Sequence, residues 1–154
     1  MQARNSGLYG SGFLATDYAN NQRDVVGVLQ LDMTNYNGSI ADIYIIDDYT
    51  DAQQNAFVAQ LAATYLPDLL VAHSLCGYGC SDHASWTQRG YAASFPFEAK
   101  FGEDNPWIHW SLDTWANSGS QAEHARKFTR LGLAWLAELS EEGSDRIFGS
   151  GFEN

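Results

Sequence analysis

Apolar residues in this chain fall into short blocks separated by polar turns, and the spacing inside each block predicts an element. Positions 25–31, Val-Val-Gly-Val-Leu-Gln-Leu, are rich in β-branched residues and almost continuously apolar. That is the pattern of a strand buried on both faces. Positions 42–47, around Ile43, Ile45 and Ile46, read as a second strand, 69–71 as a short third and 91–97 as a fourth. Helical spacing appears at 11–22, which ends in the polar run Asn20-Asn21-Gln22. It returns at 51–65, with Thr50 in a capping position, Phe57, Leu61 and Tyr65 on one face, and Pro67 just beyond the end. Ser81 or Asp82 can cap a short helix that runs to Arg89. The last helix, 121–141, lines up Ala125, Phe128, Leu131, Trp135 and Leu139 on one stripe and is expected to stop near Gly143. Tyr36-Asn37-Gly38-Ser39 is a turn signal, and a long polar loop follows the fourth strand as far as His109.

Strands that alternate with helices imply an α/β domain whose twisted sheet is mostly parallel and flanked by helices. Residues 1–142 form that domain, and 143–154 read as a mobile tail with little pattern. At 154 residues the chain is one domain by length, and 45 % hydrophobic residues suffice for a core. The net charge of −11 argues against nucleic acid and anionic membrane surfaces as partners, and no apolar run is long enough to span a bilayer. The first six residues hold no apolar stretch, so no signal peptide is expected in this chain.

Candidate chemistry begins at Asp32, which follows the first strand. Ligands collect beyond the carboxyl ends of strands in open α/β sheets, so a carboxylate there can bind a metal; it can equally make turn hydrogen bonds. His109, behind Pro106, is either a presented imidazole ligand or a solvated loop histidine. Cys76 and Cys80 are four positions apart, too few and too close for a zinc ribbon. Two free thiols or a local disulfide both fit that spacing. His73 lies near a strand end, His83 supports the short helix or its loop, and His124 is expected on an exposed helix face.

Three segments carry a resemblance: Gln30-Leu31-Asp32-Met33-Thr34-Asn35-Tyr36, Cys76-Gly77-Tyr78-Gly79-Cys80-Ser81-Asp82-His83-Ala84-Ser85-Trp86 and Asn105-Pro106-Trp107-Ile108-His109. In this order and spacing the chain resembles the secreted bacterial leucyl aminopeptidases, exopeptidases of metallopeptidase family twenty-eight that work with two zinc ions. The resemblance implies a zinc-exopeptidase-like fold, incomplete on its N-terminal side. It makes Asp32 a ligand of one zinc and His109 a ligand of the other, and pairs Cys76 with Cys80 in a disulfide. Tyr78 becomes the tyrosine that contacts substrate beside the metals, a potential donor to an oxyanion. Met33, Ile46, Cys76, Cys80, Phe97, Phe101 and Ile108 become the apolar wall of a pocket for a leucine-like N-terminal side chain. Peptide or protein N-termini are the implied substrates. In such enzymes the two zincs activate a water and a glutamate carries its proton to the leaving amine.

The family's glutamate pair lies just before a Gly-Leu-x-Gly-Ser turn, here Gly7-Leu8-Tyr9-Gly10-Ser11, and the corresponding positions are Arg4 and Asn5. Arginine stays protonated at neutral pH and is neither base nor ligand. No catalytic base is retained, and an upstream histidine and bridging aspartate have no counterpart. The chain is therefore expected to be a truncated product, inactive alone, with an unpaired sheet edge that favours association with itself or with a missing N-terminal half. The family and the disulfide point to secretion. A peptide-binding module that has lost its metals is the competing reading. Trp107, Trp110 and Trp115 suggest a carbohydrate platform far more weakly, because clustered aromatics usually pack.

Overall fold

The computed structural model describes residues 8–141, so Arg4, Asn5, the stop at Gly143 and the tail lie outside the described residues. Eight elements follow one another: α1 (Tyr9–Asn20), β1 (Val28–Leu29), β2 (Ile43–Ile46), α2 (Ala52–Tyr65), β3 (Val71–Ser74), α3 (His83–Thr87), β4 (Ala93–Phe97) and α4 (Glu123–Glu141). The strands form one sheet in the order β1-β4-β2-β3. β1 runs parallel to β4 and β2 parallel to β3, while β2 and β4 are antiparallel.

The first strand is far shorter than its apolar run, and Pro96 explains why. Val28 donates to the carbonyl of Ala92 and Gln30 to that of Ser94, both at 2.9 Å. The next bond of a parallel ladder requires the N–H of residue 96, which proline lacks. The chain peels away from the sheet after Gln30. Residues 25–30 are accordingly half-buried rather than enclosed on both faces, and Leu31 is exposed.

β2 is buried along its whole length, and its alternating side chains serve two cores. Ile43 and Ile45 pack with Val58, Leu61, Ala62 and Leu66 of the α2 region and with Phe128, Leu131 and Trp135 of α4. Ile46 faces the other way, with Cys76, Phe95 and Phe97. Alternation along a strand puts successive residues on opposite faces, which is what lets one strand floor both clusters.

Several expected boundaries and faces are corrected. α2 is capped by Asp51, whose carboxylate accepts the Gln54 N–H at 2.8 Å; Thr50 instead donates to the Ile46 carbonyl at 2.9 Å. Its buried face runs through Gln54, Asn55, Val58, Leu61 and Ala62, so Tyr65 is exposed. The Asn55 side chain donates to the Ile46 carbonyl at 3.0 Å and pins the end of β2. α1 begins two residues earlier than the pattern indicated, at Tyr9, and β3 runs from Val71 to Ser74, sharing only Val71 with the expected 69–71. His124 is not on an exposed face: it is 2 % exposed, with Nε2 3.0 Å from the Glu98 carbonyl.

Candidate peptidase site

Asp32 stands where the peeled-off chain leaves β1. Its Oδ2 accepts the Ser81 hydroxyl at 2.8 Å, and Ser81 Oγ also receives Gln30 Nε2 at 3.2 Å. Ser81 is buried, whereas Asp32 is exposed, so the hydroxyl aims a solvent-facing carboxylate. Met33 follows with φ of 53°, in the left-handed region that non-glycine residues seldom enter. His109 occupies the same region, at φ 66°, on an exposed turn. Both ends of the candidate site thus include a residue in a costly conformation, which persists only where surrounding contacts over-determine it.

Cys76 and Cys80 are joined in a disulfide with Cα atoms 6.2 Å apart. Asp48, at the end of β2, holds this loop from below: Oδ1 accepts the Cys76 N–H at 2.8 Å and Oδ2 the Gly77 N–H at 2.5 Å. Gly77 has φ of +80°, which only glycine adopts at no cost. The loop presents Tyr78, half exposed, edge-on to Phe101 with ring centroids 6.0 Å apart.

Six of the seven expected pocket residues meet in one cluster. Ile46, Cys76 and Phe97 are buried there with Phe95, and Met33, Cys80 and Phe101 pack against them. The rings form a chain: Phe95 to Phe97 at 5.3 Å, then Phe97 to Phe101 at 6.1 Å. Ile108 is half-buried on the turn that carries His109. The cluster is apolar, with Ile46, Cys76, Phe95 and Phe97 buried, and the half-exposed Tyr78 ring meets it at Phe101.

Beneath the cluster lies His83, fully buried and stacked on Phe95 with centroids 4.7 Å apart. Neither ring nitrogen completes a hydrogen bond of ordinary geometry among the described residues, although the Asp48 backbone is near enough to favour the charged form. Burial pulls its pKa down to about 4, against the attraction of Asp48, Asp82 and Asp32 for the charged form. The imidazole is neutral at physiological pH and acts as a packing ring.

Asp32 and His109 are the two metal donors the sequence proposed, and catalytic zinc normally takes three from the protein. Among the described residues no group of three or more His, Cys, Asp or Glu side chains is arranged to hold a metal ion. The described donors therefore do not make a zinc site, and no chemical step follows from them. His73, paired with Asp47 at 2.9 Å, belongs to the edge strand β3 and adds no ligand.

Sequence reasoning missed Phe95, Asp48 and Glu98. Phe95 alternates with Phe97 on the same strand face, a signal that was present in the pattern. Glu98 was visible as a lone acid in a run from 93 to 99 that is buried throughout. Such a carboxylate must be partnered.

Residues 2–135 match the family model described as Peptidase family M28. The chain is 33 % identical to Leucine aminopeptidase 1 of Penicillium rubens over 144 residues, covering 90 % of this chain and 37 % of the relative. Leucine aminopeptidase 1 of Coccidioides posadasii is also 33 % identical, with 90 % and 36 % covered. Among solved structures, the LapA aminopeptidase of Legionella pneumophila superposes with a TM-score of 0.79 at 34 % identity, over 88 % of this chain and 36 % of that one. LapB of the same organism gives 0.81 at 36 % identity, over 91 % and 38 %. The chain spans a little over a third of the length of these relatives. On the extent of the family match, this chain belongs to peptidase family M28.

Proposed function

We propose that this chain supplies the substrate-side half of a zinc-dependent aminopeptidase: the pocket for a leucine-like N-terminal residue, and Asp32 and His109 as two of the metal-facing donors. The carrying observation is the apolar cluster of Met33, Ile46, Cys76, Cys80, Phe97 and Phe101 with Tyr78 at its rim, built on a family peptidase fold. Relatives named leucine aminopeptidases support the substrate class. In the resemblance, Arg4 and Asn5 stand where the family's glutamate pair belongs. Together with the incomplete donor set, this supports a chain that does not hydrolyse peptides by itself.

Two further features fit the same reading. Tyr9, Phe13 and Leu14 are exposed on α1, an apolar face suited to packing against additional protein, whether a second copy or the remainder of a peptidase domain. The disulfide suits an oxidising compartment, in keeping with secretion, and among the described residues no helix is long and apolar enough to cross a membrane. A retained pocket with too few donors also favours a second reading, a peptide-binding module; peptide binding that is indifferent to zinc would select it.

The test is hydrolysis of leucine p-nitroanilide by the purified chain in the presence of zinc. No hydrolysis above the buffer rate is expected. Turnover that Asp32→Ala abolishes would overturn the proposal.

A further inference from the structure

The loops that bear Asp32 and His109 arrive from different parts of the chain and meet on one carboxylate. Glu98 directly follows β4 and is 2 % exposed. Its Oε2 accepts the N–H groups of Asn35 at 2.9 Å and Tyr36 at 2.8 Å; its Oε1 accepts the N–H of Asn105 at 3.1 Å. From these contacts we infer that Glu98 is a positioning residue of the peptidase site, fixing the loop that carries Asp32 against the loop that carries His109. The functional side of this inference rests on the reading of Asp32 and His109 given above.

The surrounding contacts make the arrangement a bracket rather than an incidental pairing. The chain reaches Glu98 because Pro96 ends the β1 ladder and releases residues 31–36 toward the end of β4. Ser39 then ties the same two segments again, accepting the Lys100 N–H at 2.9 Å and donating to Glu103 at 2.6 Å. Between them Gly38 leaves no room for a side chain, since a Cβ there would meet the Glu103 carbonyl at 2.0 Å. Asn35 extends the bracket to α4: its side chain donates to the Gln121 carbonyl at 2.8 Å and accepts the Ala125 N–H at 3.3 Å. Asn105 extends it toward His109, accepting the Trp107 N–H at 3.0 Å.

The chemistry suits a carboxylate and not its amide. An ionised carboxylate accepts all three N–H groups with no donor of its own, and charge-assisted bonds are the stronger kind. Burial pushes the Glu98 carboxyl up, and the backbone donors of Tyr36, Asn105 and Asn35 pull it back. Glutamine at this position has one oxygen and one NH2. Turned to keep two bonds, it gives its oxygen to Asn35 and Tyr36 and sets its NH2 against the Asn105 N–H. Glu98→Gln therefore unlatches the His109 side selectively, and Glu98→Ala unlatches both.

Residue-resolved amide hydrogen exchange on the full chain tests this. In Glu98→Gln, exchange at Asn105 should rise about tenfold, as expected for losing a hydrogen bond to a charged group, while Asn35 and Tyr36 stay slow. In Glu98→Ala all three should speed up, with the Ile43 and Ile45 amides as unaffected controls for folding. Wild-type exchange at all three amides in a folded Glu98→Gln chain overturns the inference, as does equal acceleration at the controls. Hydrolysis of leucine p-nitroanilide with added zinc separates the two readings. Turnover by the wild-type chain that Asp32→Ala abolishes overturns the proposed function, while the exchange result still decides the role of Glu98.

Discussion

The His83 ring lies on the Phe95 ring at 4.7 Å with only 24° between their planes, so an ionisable group forms the floor under the candidate pocket. Its pKa is pulled from 6.5 to about 4 by burial. A depressed folded-state pKa contributes stability that is fully present above the unfolded value and is lost as pH falls through the folded one. The window is therefore between about 6.5 and about 4. The shift corresponds to roughly 3 kcal/mol at its full extent. Urea unfolding across this range should show the wild-type chain losing that much more stability than His83→Leu. Burial also lowers the pKa of His124, so some acid sensitivity remains in the variant. Parallel stability curves for the two chains would remove His83 from this role.

Asp48 is the sole carboxylate bonded to the Cys76 and Gly77 amides among the described residues, at 2.8 and 2.5 Å. Asp48→Asn keeps the size but loses the charge and one acceptor. We expect a loss of about 1.5–3 kcal/mol in unfolding free energy and faster amide exchange across residues 76–80. Unchanged exchange in that loop would show that the disulfide alone sets its shape.

Phe97 and Phe101 touch, yet their environments predict different outcomes. Phe97 is 2 % exposed and packed with Ile46, Cys76 and Phe95, and Phe97→Ala should cost about 3–5 kcal/mol. Phe101 is only partly buried, so Phe101→Ala should cost clearly less while weakening binding of leucine-like ligands. Thermal unfolding and ligand titration read the two effects separately. Equal stability losses would mean that Phe101 belongs to the core and not to a pocket wall.

Much of this was legible because periodicity reports burial. Ile43, Ile45 and Ile46 announced β2, and the stripe Phe128, Leu131, Trp135 announced α4 with its buried face. Met33, Phe97 and Phe101, grouped with Cys76 and Cys80 by the resemblance, do pack in one apolar cluster. What escaped depends on contacts between distant positions. Thr50 and Asp51 are both good caps, and only the turn geometry chooses Asp51. His124 reads as a surface residue until the Glu98 carbonyl is placed beside it. The short β1 follows from Pro96, whose partner strand is more than sixty residues away in sequence. Asn35 satisfies the start of α4 across ninety positions, a cap no local pattern could reveal.

The central claim is that this chain holds the substrate pocket of a family M28 peptidase but not a complete metal site. Zinc bound per chain, determined by elemental analysis after incubation with excess zinc and desalting, tests it most directly. The account predicts that little zinc is retained, well below two ions per chain. Two zincs per chain that survive desalting and are lost in Asp32→Ala and in His109→Ala would contradict it.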